Sequence, residues 1–307
     1  MSSREIRSTF LLILAALVWG VAFVAQSVGA DHVGAFTFLS LRTYLGVAVL
    51  LPVIPVMDRL RGKGEHRTPA RADKKTFIMG GLICGFFLFA ASAAQQIGIA
   101  YTTAGKSGFV TAMYVVLVPV LSVIIGRRPG MRIWIAVFMS VAGLYLLCIK
   151  GDMKVNTGDL WTLLAAFLFS IQIMAVGHFV KMIDGVRLTC AEFAFEALFA
   201  TVCMLIFERS TPAEAILSAL PAILYAGIFS SGIGYTLQTL GERDVNPAVA
   251  SLAMCLESVF SALFGWLILK ETLSDKELLG CAMMLCAVLV AELPVNALPW
   301  VKRRRET

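Results

Sequence analysis

Ten apolar segments of roughly membrane-spanning length run through this chain in two groups of five. They are Thr9–Val28, Ala35–Met57, Thr76–Ile99, Ser107–Ile125 and Ile133–Ile149, then Leu160–Val180, Thr189–Phe207, Leu217–Leu240, Ala248–Leu269 and Leu278–Leu293. A helix needs about 20 predominantly apolar residues to cross a bilayer, with a range of roughly 17–25. Lipid offers the backbone no hydrogen-bond partner, so only helices or a closed barrel can span it. The segments show no apolar–polar alternation that would suggest strands. The expected fold is all-α and integral to the membrane, with ten transmembrane helices. Five crossings per group, an odd number, set the two groups in opposite orientations.

Composition agrees. Of 307 residues, 59% are apolar and 15% charged, against roughly 45–50% and about 25% in soluble domains. Almost every residue lies in or beside an apolar run, which leaves no room for a soluble enzyme domain. Arg4 and Arg7 ahead of an apolar run could open a signal peptide. The run from Thr9 to Val28 is too long for that, and no A-x-A site follows, so it is expected to stay as the first span. Cys84, Cys148, Cys190, Cys203, Cys255, Cys281 and Cys286 all fall in apolar segments, and none forms a CxxC pair. They read as small packing residues, not as disulfide or zinc ligands. His32, His66 and His178 are scattered. No metal and no cofactor are expected.

The net charge of +6 raises the question of nucleic acid, and its placement answers it. With the N-terminus inside, 19 of the 26 Lys and Arg residues fall in inner segments and six in outer ones, with Arg42 inside a span. Basic residues concentrate on the cytoplasmic side of membrane proteins, so both termini are expected there, in a cell (inner) membrane. The basic loop from Arg59 to Lys75 reads as a topology anchor facing anionic lipid, not as a nucleic-acid site.

The two groups can be laid over each other as residues 1–150 and 151–307. Gln95-Gln96-Ile97-Gly98 resembles Gln238-Thr239-Leu240-Gly241 at a shift of 143. Pro119-Val120-Leu121-Ser122 resembles Ser258-Val259-Phe260-Ser261 at a shift of 139. The first half is therefore expected to carry four extra residues around Tyr101–Ser107. Two inverted five-helix repeats are a known transporter architecture, with the substrate bound near the midplane between them.

Ionisable groups at membrane depth cost roughly 2.5–3.5 kcal/mol each on insertion scales, so they mark function by default. Five stand out: Arg42, Glu192, Glu196, Glu257 and Glu292. Glu292 ends its span and can reach the interface. Arg42 and Glu196 each lie seven residues into a span, which places them at equivalent depths from opposite faces. They read as gating or coupling residues, one toward each face, and not as one salt bridge; snorkelling is the competing account of Arg42. Glu192 and Glu196, at i and i+4, share a helix face. A carboxylate pair in low dielectric resists double ionisation, which suits a proton carrier, although Glu192 is only about one turn in and water can reach it there. Glu257 sits mid-span and must face protein or a cavity. Trp19, Gln95, Tyr114, Gln172, Tyr235 and Gln238 complete an expected substrate cavity with Glu257. Each of them taken singly also reads as a helix–helix hydrogen bond.

Signals for catalysis are poor. Lys106-Ser107 does not form a nucleophile–base pair, because adjacent helix residues do not face each other. No Walker A, HExxH or GxSxG motif occurs. No catalytic residue is assigned, and any uphill transport would draw on an ion gradient.

Trp19-Gly20, Arg42 and Thr102-Thr103-Ala104-Gly105-Lys106-Ser107-Gly108-Phe109, followed by Pro119, form a recognisable set in the first half. Asn246-Pro247-Ala248, Leu256 to Gly265 and Lys270-Glu271 do so in the second. With these pieces the chain resembles the ten-helix EamA-like transporters of the drug/metabolite transporter superfamily, from about Thr9 to Leu293. The Glu-Pro-Val-Phe pattern usual in helix nine appears here as Glu257-Ser258-Val259-Phe260, which removes the proline expected to kink that helix, while Pro119 keeps its counterpart in helix four. The resemblance implies a basket of helices around a central cavity, with helices five and ten peripheral and Glu271 capping an outer turn. It implies alternating access and the movement, as an exporter, of small metabolites, amino acids or drugs. The partners expected are a small-molecule substrate and the lipid bilayer. Proton coupling and a homodimer both remain open. A membrane-embedded enzyme would instead need a cluster of His, Asp or Ser at one interface. A scaffold without transport activity would tolerate loss of Glu257 and Arg42.

Overall fold

A computed structural model of the chain describes residues 3–60, 73–101, 104–148, 156–269 and 274–292. The basic loop at 61–72, the residues 102–103, Lys150, Lys154, the Lys270–Glu271 pair and the C-terminal Lys302–Arg305 lie outside the described residues. The side chains of Lys106 and Glu292 are likewise not described.

The protein is an all-α integral membrane protein with ten transmembrane spans in two inverted five-helix repeats. The first repeat runs α1 (Ser3–Ala30), α2 (Ala35–Leu60), α3 (Lys74–Ile99), a broken fourth span of α4 (Ala104–Thr111) and α5 (Tyr114–Ile124), and α6 (Met131–Cys148). The second runs α7 (Thr157–Phe179), α8 (Gly185–Phe207), an eighth span in three pieces, a broken ninth, and α13 (Asp275–Glu292). The eighth comprises α9 (Ala213–Tyr225), a π-helical segment (Ala226–Gly234) and α10 (Tyr235–Gly241); the ninth comprises α11 (Pro247–Met254) and α12 (Glu257–Leu269). Seven described helical stretches are long and apolar enough to cross a membrane, and Met131–Leu146, Pro247–Ser261 and Leu278–Ala291 are shorter apolar helices.

Local chemistry starts several of these helices. Asn156 and Asp159 exchange hydrogen bonds with each other's backbone amides in a capping box at the start of α7. Such reciprocal caps satisfy two amides that have no partner within the helix. Asn246 caps α11 by accepting from the Ala248 amide, with Pro247 at the first helical position, where a missing N–H costs nothing.

The bundle is held by contacts between the halves. α3 packs on α7 and α8, α2 on α8 and the π-helical segment, and α1 on α12. α6 and α13 pack chiefly on each other. Phe138, Ile124 and Phe207 are largely exposed on the outside of the bundle, as a surface solvated by lipid chains requires. Packing rather than hydrophobic exclusion holds helices together in lipid, so small residues at crossings matter. A Cβ on Gly20 would lie 2.6 Å from the Phe260 Cβ and 2.8 Å from the Ser261 backbone nitrogen. Only a glycine lets α1 approach α12 this closely.

The antiparallel pair α2 and α8 is tied at both ends. At one end Glu208 accepts hydrogen bonds from the Phe36 and Thr37 amides (3.0 and 2.7 Å) and from the Thr37 hydroxyl (2.7 Å). The carboxylate thereby satisfies donors at the start of α2, where the helix dipole also favours negative charge. At the other end Arg187, in the first turn of α8, pairs with Asp58 at 2.7 Å.

Two expectations about the repeat are corrected. α4 and α11 are each eight residues long, and their starts, their ends and the starts of α5 and α12 are all offset by 143 residues. The four extra residues expected around Tyr101–Ser107 are absent from this register, and Pro119 stands opposite Ala262 rather than Ser258. The similarity of Pro119–Ser122 to Ser258–Ser261 was one of letters: both follow a helix break that hydropathy does not register, but at different distances from it. That break is the second correction. The ninth span is interrupted at Cys255–Leu256 although no proline is there. Leu256 and Ser258 donate three residues back, to Ala253 and Cys255. Val115 and Val116 do the same to Ala112 and Met113 in the fourth span. Such tightened turns interrupt an α-helix without removing an amide.

Candidate functional site

The two breaks meet in the middle of the bundle. Tyr114 opens α5 and Glu257 opens α12, so the residues occupy matching places in the two repeats. The Tyr114 hydroxyl donates to Glu257 Oε1 at 3.1 Å, with both side chains buried. They line a cavity of about 50 Å³, shared by both repeats. That is room for roughly three waters, so an organic solute would require the wall to move.

The wall can be followed along the bundle. Toward the face opposite the termini, α1 contributes Phe23 and Gln26, α3 contributes Gln95 and α4 contributes Thr111. Gln95 donates to the Thr111 hydroxyl at 3.2 Å, and neighbouring Gln96 donates to the Gln26 carbonyl at 3.0 Å. The middle holds Trp19, Arg42, Tyr114, Tyr235, Met254 and Glu257. Trp19 meets Tyr235 edge-on at 4.9 Å between ring centroids, and Phe193 backs Tyr235 at 5.3 Å in the same geometry. Ser230 reaches the cavity from the π-helical segment, an irregularity that often marks functional sites. Toward the terminal face lie Phe169, Gln172 and Ile173 from α7 and Gln238 from α10.

At that end the wall is wired to carboxylates behind it. Gln172 Nε2 donates to Glu192 Oε1 at 2.8 Å. Gln238 Nε2 donates to Gln172 Oε1 at 3.3 Å and to Glu242 Oε1 at 2.7 Å. Glu192 is fully buried, and Glu242 is 1% exposed. Buried polar networks of this kind are worth most when complete and cost most when a member is lost.

All seven residues expected at a cavity from the sequence (Trp19, Gln95, Tyr114, Gln172, Tyr235, Gln238 and Glu257) stand on this wall, together with Arg42. Glu192 and Glu196 stand behind it. Two expectations about them fail. Water does not reach Glu192, which the bundle encloses completely. Arg42 and Glu196 do form one ion pair, with 3.8 Å between Arg42 Nη2 and Glu196 Oε1. Because α2 and α8 are antiparallel, Arg42 lies seven residues from one end of α2 and Glu196 eleven from the adjoining end of α8. Four residues of helix are about 6 Å, a gap that an arginine side chain spans.

A profile of the EamA-like transporter family matches residues 6–149 and again residues 156–292. The chain belongs to the EamA-like transporter family. This EamA-like transporter is 26% identical over 289 residues to a protein named "Uncharacterized transporter" from Archaeoglobus fulgidus, covering 92% of this chain and 85% of that one. It is 24% identical to "Uncharacterized transporter YoaV" of Bacillus subtilis, covering 90% and 94% of the two chains. A solved structure titled "Crystal structure of protein" superposes with a TM-score of 0.73 at 19% identity, covering 98% of this chain and 99% of the other; that likeness concerns the fold. The protein is thus a multi-pass membrane transporter.

Sequence reasoning missed several residues of this EamA-like transporter's wall and its surroundings. Gln26 is polar at membrane depth and had the same signal as Gln95. Phe23, Phe169, Ile173 and Met254 carry no signal among so many apolar neighbours. Glu242 and Glu208 lie just beyond the apolar segments that end at Leu240 and Phe207, because hydropathy closes a span near a charged residue. Both are nonetheless held by the bundle, one behind the cavity and one as the cap of α2.

Proposed function

We propose that this protein is a secondary-active exporter of small metabolites, amino acids or drugs, working by alternating access through the cavity around Trp19, Gln95, Tyr114, Gln172, Tyr235, Gln238 and Glu257. The hydrogen bond between Tyr114 and Glu257 carries the reading. It joins matching positions of the two repeats at their helix breaks, inside a cavity that both repeats line. Broken spans at the repeat interface are where transporters of this architecture bind their substrates. Residues 1–150 and 151–307 are the two units that rock against each other. The two separately matched segments, 6–149 and 156–292, support that division.

Arg42, Glu192 and Glu196 are proposed as gating or coupling residues, with the proton as coupling ion. The supporting observation is electrostatic. Glu192, Glu196, Glu242 and Glu257 are enclosed in the bundle with Arg42 as the one buried arginine among the described residues. An enclosed excess of carboxyl groups needs protons or cations for neutrality. The distribution of Lys and Arg supports placement in the cell (inner) membrane with both termini cytoplasmic.

The test is flux in proteoliposomes over a panel of small metabolites, amino acids and drugs, with and without an imposed pH gradient. Wild type should move at least one substrate faster with the gradient, and Glu257→Gln should lose that acceleration. Equal, gradient-independent flux in both proteins removes the coupling role. Absence of flux for the whole panel removes the transport reading of the cavity.

A further inference from the structure

The cavity holds two side chains of opposite formal charge, and they are not equally engaged. Arg42 already faces Glu196 from within the bundle. Among the described residues Glu257 is hydrogen-bonded by the neutral Tyr114 hydroxyl, and no cation pairs with it. A buried carboxylate with no counter-charge is costly. The neighbouring wall has open acceptors as well. Gln238 Oε1 is buried without a hydrogen-bond partner. Its orientation is settled by its amide nitrogen, which donates to both Gln172 and Glu242. Gln26 Oε1 is also buried and unpartnered. The cavity wall also carries aromatic side chains. Trp19, Phe23 and Tyr235 present rings, and Tyr235 is within electrostatic reach of Glu257. Aromatic faces attract organic cations, and more strongly where water is excluded.

We propose that the cavity selects small organic cations: the ammonium group of a primary amine pairs with Glu257 while its apolar body lies against Trp19 and Tyr235. This deepens the transport reading and rests on it for the movement of the ligand, though not for its binding. The cavity is narrow, so the amine is small and the aromatic rings shift to admit it. Arg42 is drawn toward Glu196 at 3.8 Å, with its Nε unpartnered, whereas Glu257 has no cation opposite it among the described residues; the uncompensated carboxylate is the stronger anchor, so an amine is preferred over the corresponding acid and over an amino acid.

The test uses the full-length protein purified in nanodiscs at neutral pH, with radiolabelled phenethylamine as probe and 2-phenylethanol, 3-phenylpropanoate and phenylalanine as competitors. Wild type should bind phenethylamine saturably and at least about tenfold tighter than each competitor, the ratio expected when a charge-assisted hydrogen bond is present or absent. Glu257→Gln should lose that preference, and Glu257→Asp, which keeps the charge, should retain it. If Glu257→Gln does not elute as a single folded species, the wild-type and Glu257→Asp competition profiles decide alone. The proposal is overturned if wild type shows no saturable amine binding, if any competitor binds as well as the amine, or if folded Glu257→Gln keeps the preference. Counterflow of the same four compounds across liposomes separates the two levels. An amine that binds but is not carried sinks the transport reading and leaves the cation site standing. Preferential carriage of the acid or of phenylalanine leaves a transporter and sinks the cation site.

Discussion

The two repeats place equivalent residues at the same points of the backbone and give them different chemistry. Tyr114 in the first repeat stands where Glu257 stands in the second, 143 residues on. At the same offset Gln95 matches Gln238, and Ile99 matches Glu242. Among the described residues Gln95 hydrogen-bonds to Thr111, whereas Gln238 bridges Gln172 and Glu242. The first repeat contributes a buried guanidinium, Arg42, and the second contributes Glu192, Glu196, Glu242 and Glu257. The break in the fourth span and that in the ninth keep the same position, after eight-residue helices, while the charge around them differs. Under the proposed alternating access, a symmetric scaffold would offer a similar shape from both faces, while an asymmetric charge distribution would give the interior one electrostatic character in either orientation.

The sharpest way to break this comparison is at the buried cross-repeat ion pair, Arg42 with Glu196. Arg42→Met should destabilise the protein by about 3–5 kcal/mol, the usual cost of stranding a buried partner. Thermal unfolding in detergent measures it, and adding Glu196→Gln should recover most of the loss. A stable Arg42→Met protein would mean that the second repeat's charge needs no answer from the first. Next, Gly20→Leu should cost about 1–3 kcal/mol or more, because the new side chain meets the backbone of α12. Loss of monodispersity on size exclusion would report it, and a silent substitution would show that α1 and α12 can separate freely.

The matched glutamines allow a direct contrast. Gln238→Leu leaves a Glu242 oxygen and the Gln172 carbonyl without their donor and should cost about 1–3 kcal/mol. Gln95→Leu removes the bond to the Thr111 hydroxyl and should cost about 0.5–1.5 kcal/mol. Unfolding curves of the two variants that coincide would erase the proposed asymmetry. The smallest effects belong to the ends of α2 and α8. Glu208→Ala removes the cap of α2 and should cost about 1 kcal/mol. Asp58→Asn breaks a pair whose side chains are 36% and 49% exposed, and such pairs are worth about 0–1 kcal/mol. Hydrogen exchange over the first turns of α2 and α8 would resolve the two ends separately.

The cavity residues were legible because polar and aromatic side chains are conspicuous in apolar spans. Tyr114, Gln172 and Glu257 needed polar partners somewhere inside, and the shared cavity gathers them. Glu242 was hidden by the opposite effect: a charged residue ends a hydropathic segment even where the helix and its burial continue. The break at Cys255–Leu256 left no mark, since it is made by backbone hydrogen bonds tightening over ordinary residues. The mistaken four-residue insertion followed from that silence.

What the amino-acid order determined on its own was the count of spans, their grouping in two fives and the polar residues placed at membrane depth. Those follow from transfer free energies, which each segment carries independently of its neighbours. Which of those residues meet was decided only by tertiary structure. The union of Arg42 with Glu196, the meeting of Tyr114 with Glu257, and the relay from Glu192 to Glu242 depend on how antiparallel helices slide and rotate against one another. Those offsets are set by close packing across the whole bundle, a quantity no single segment contains.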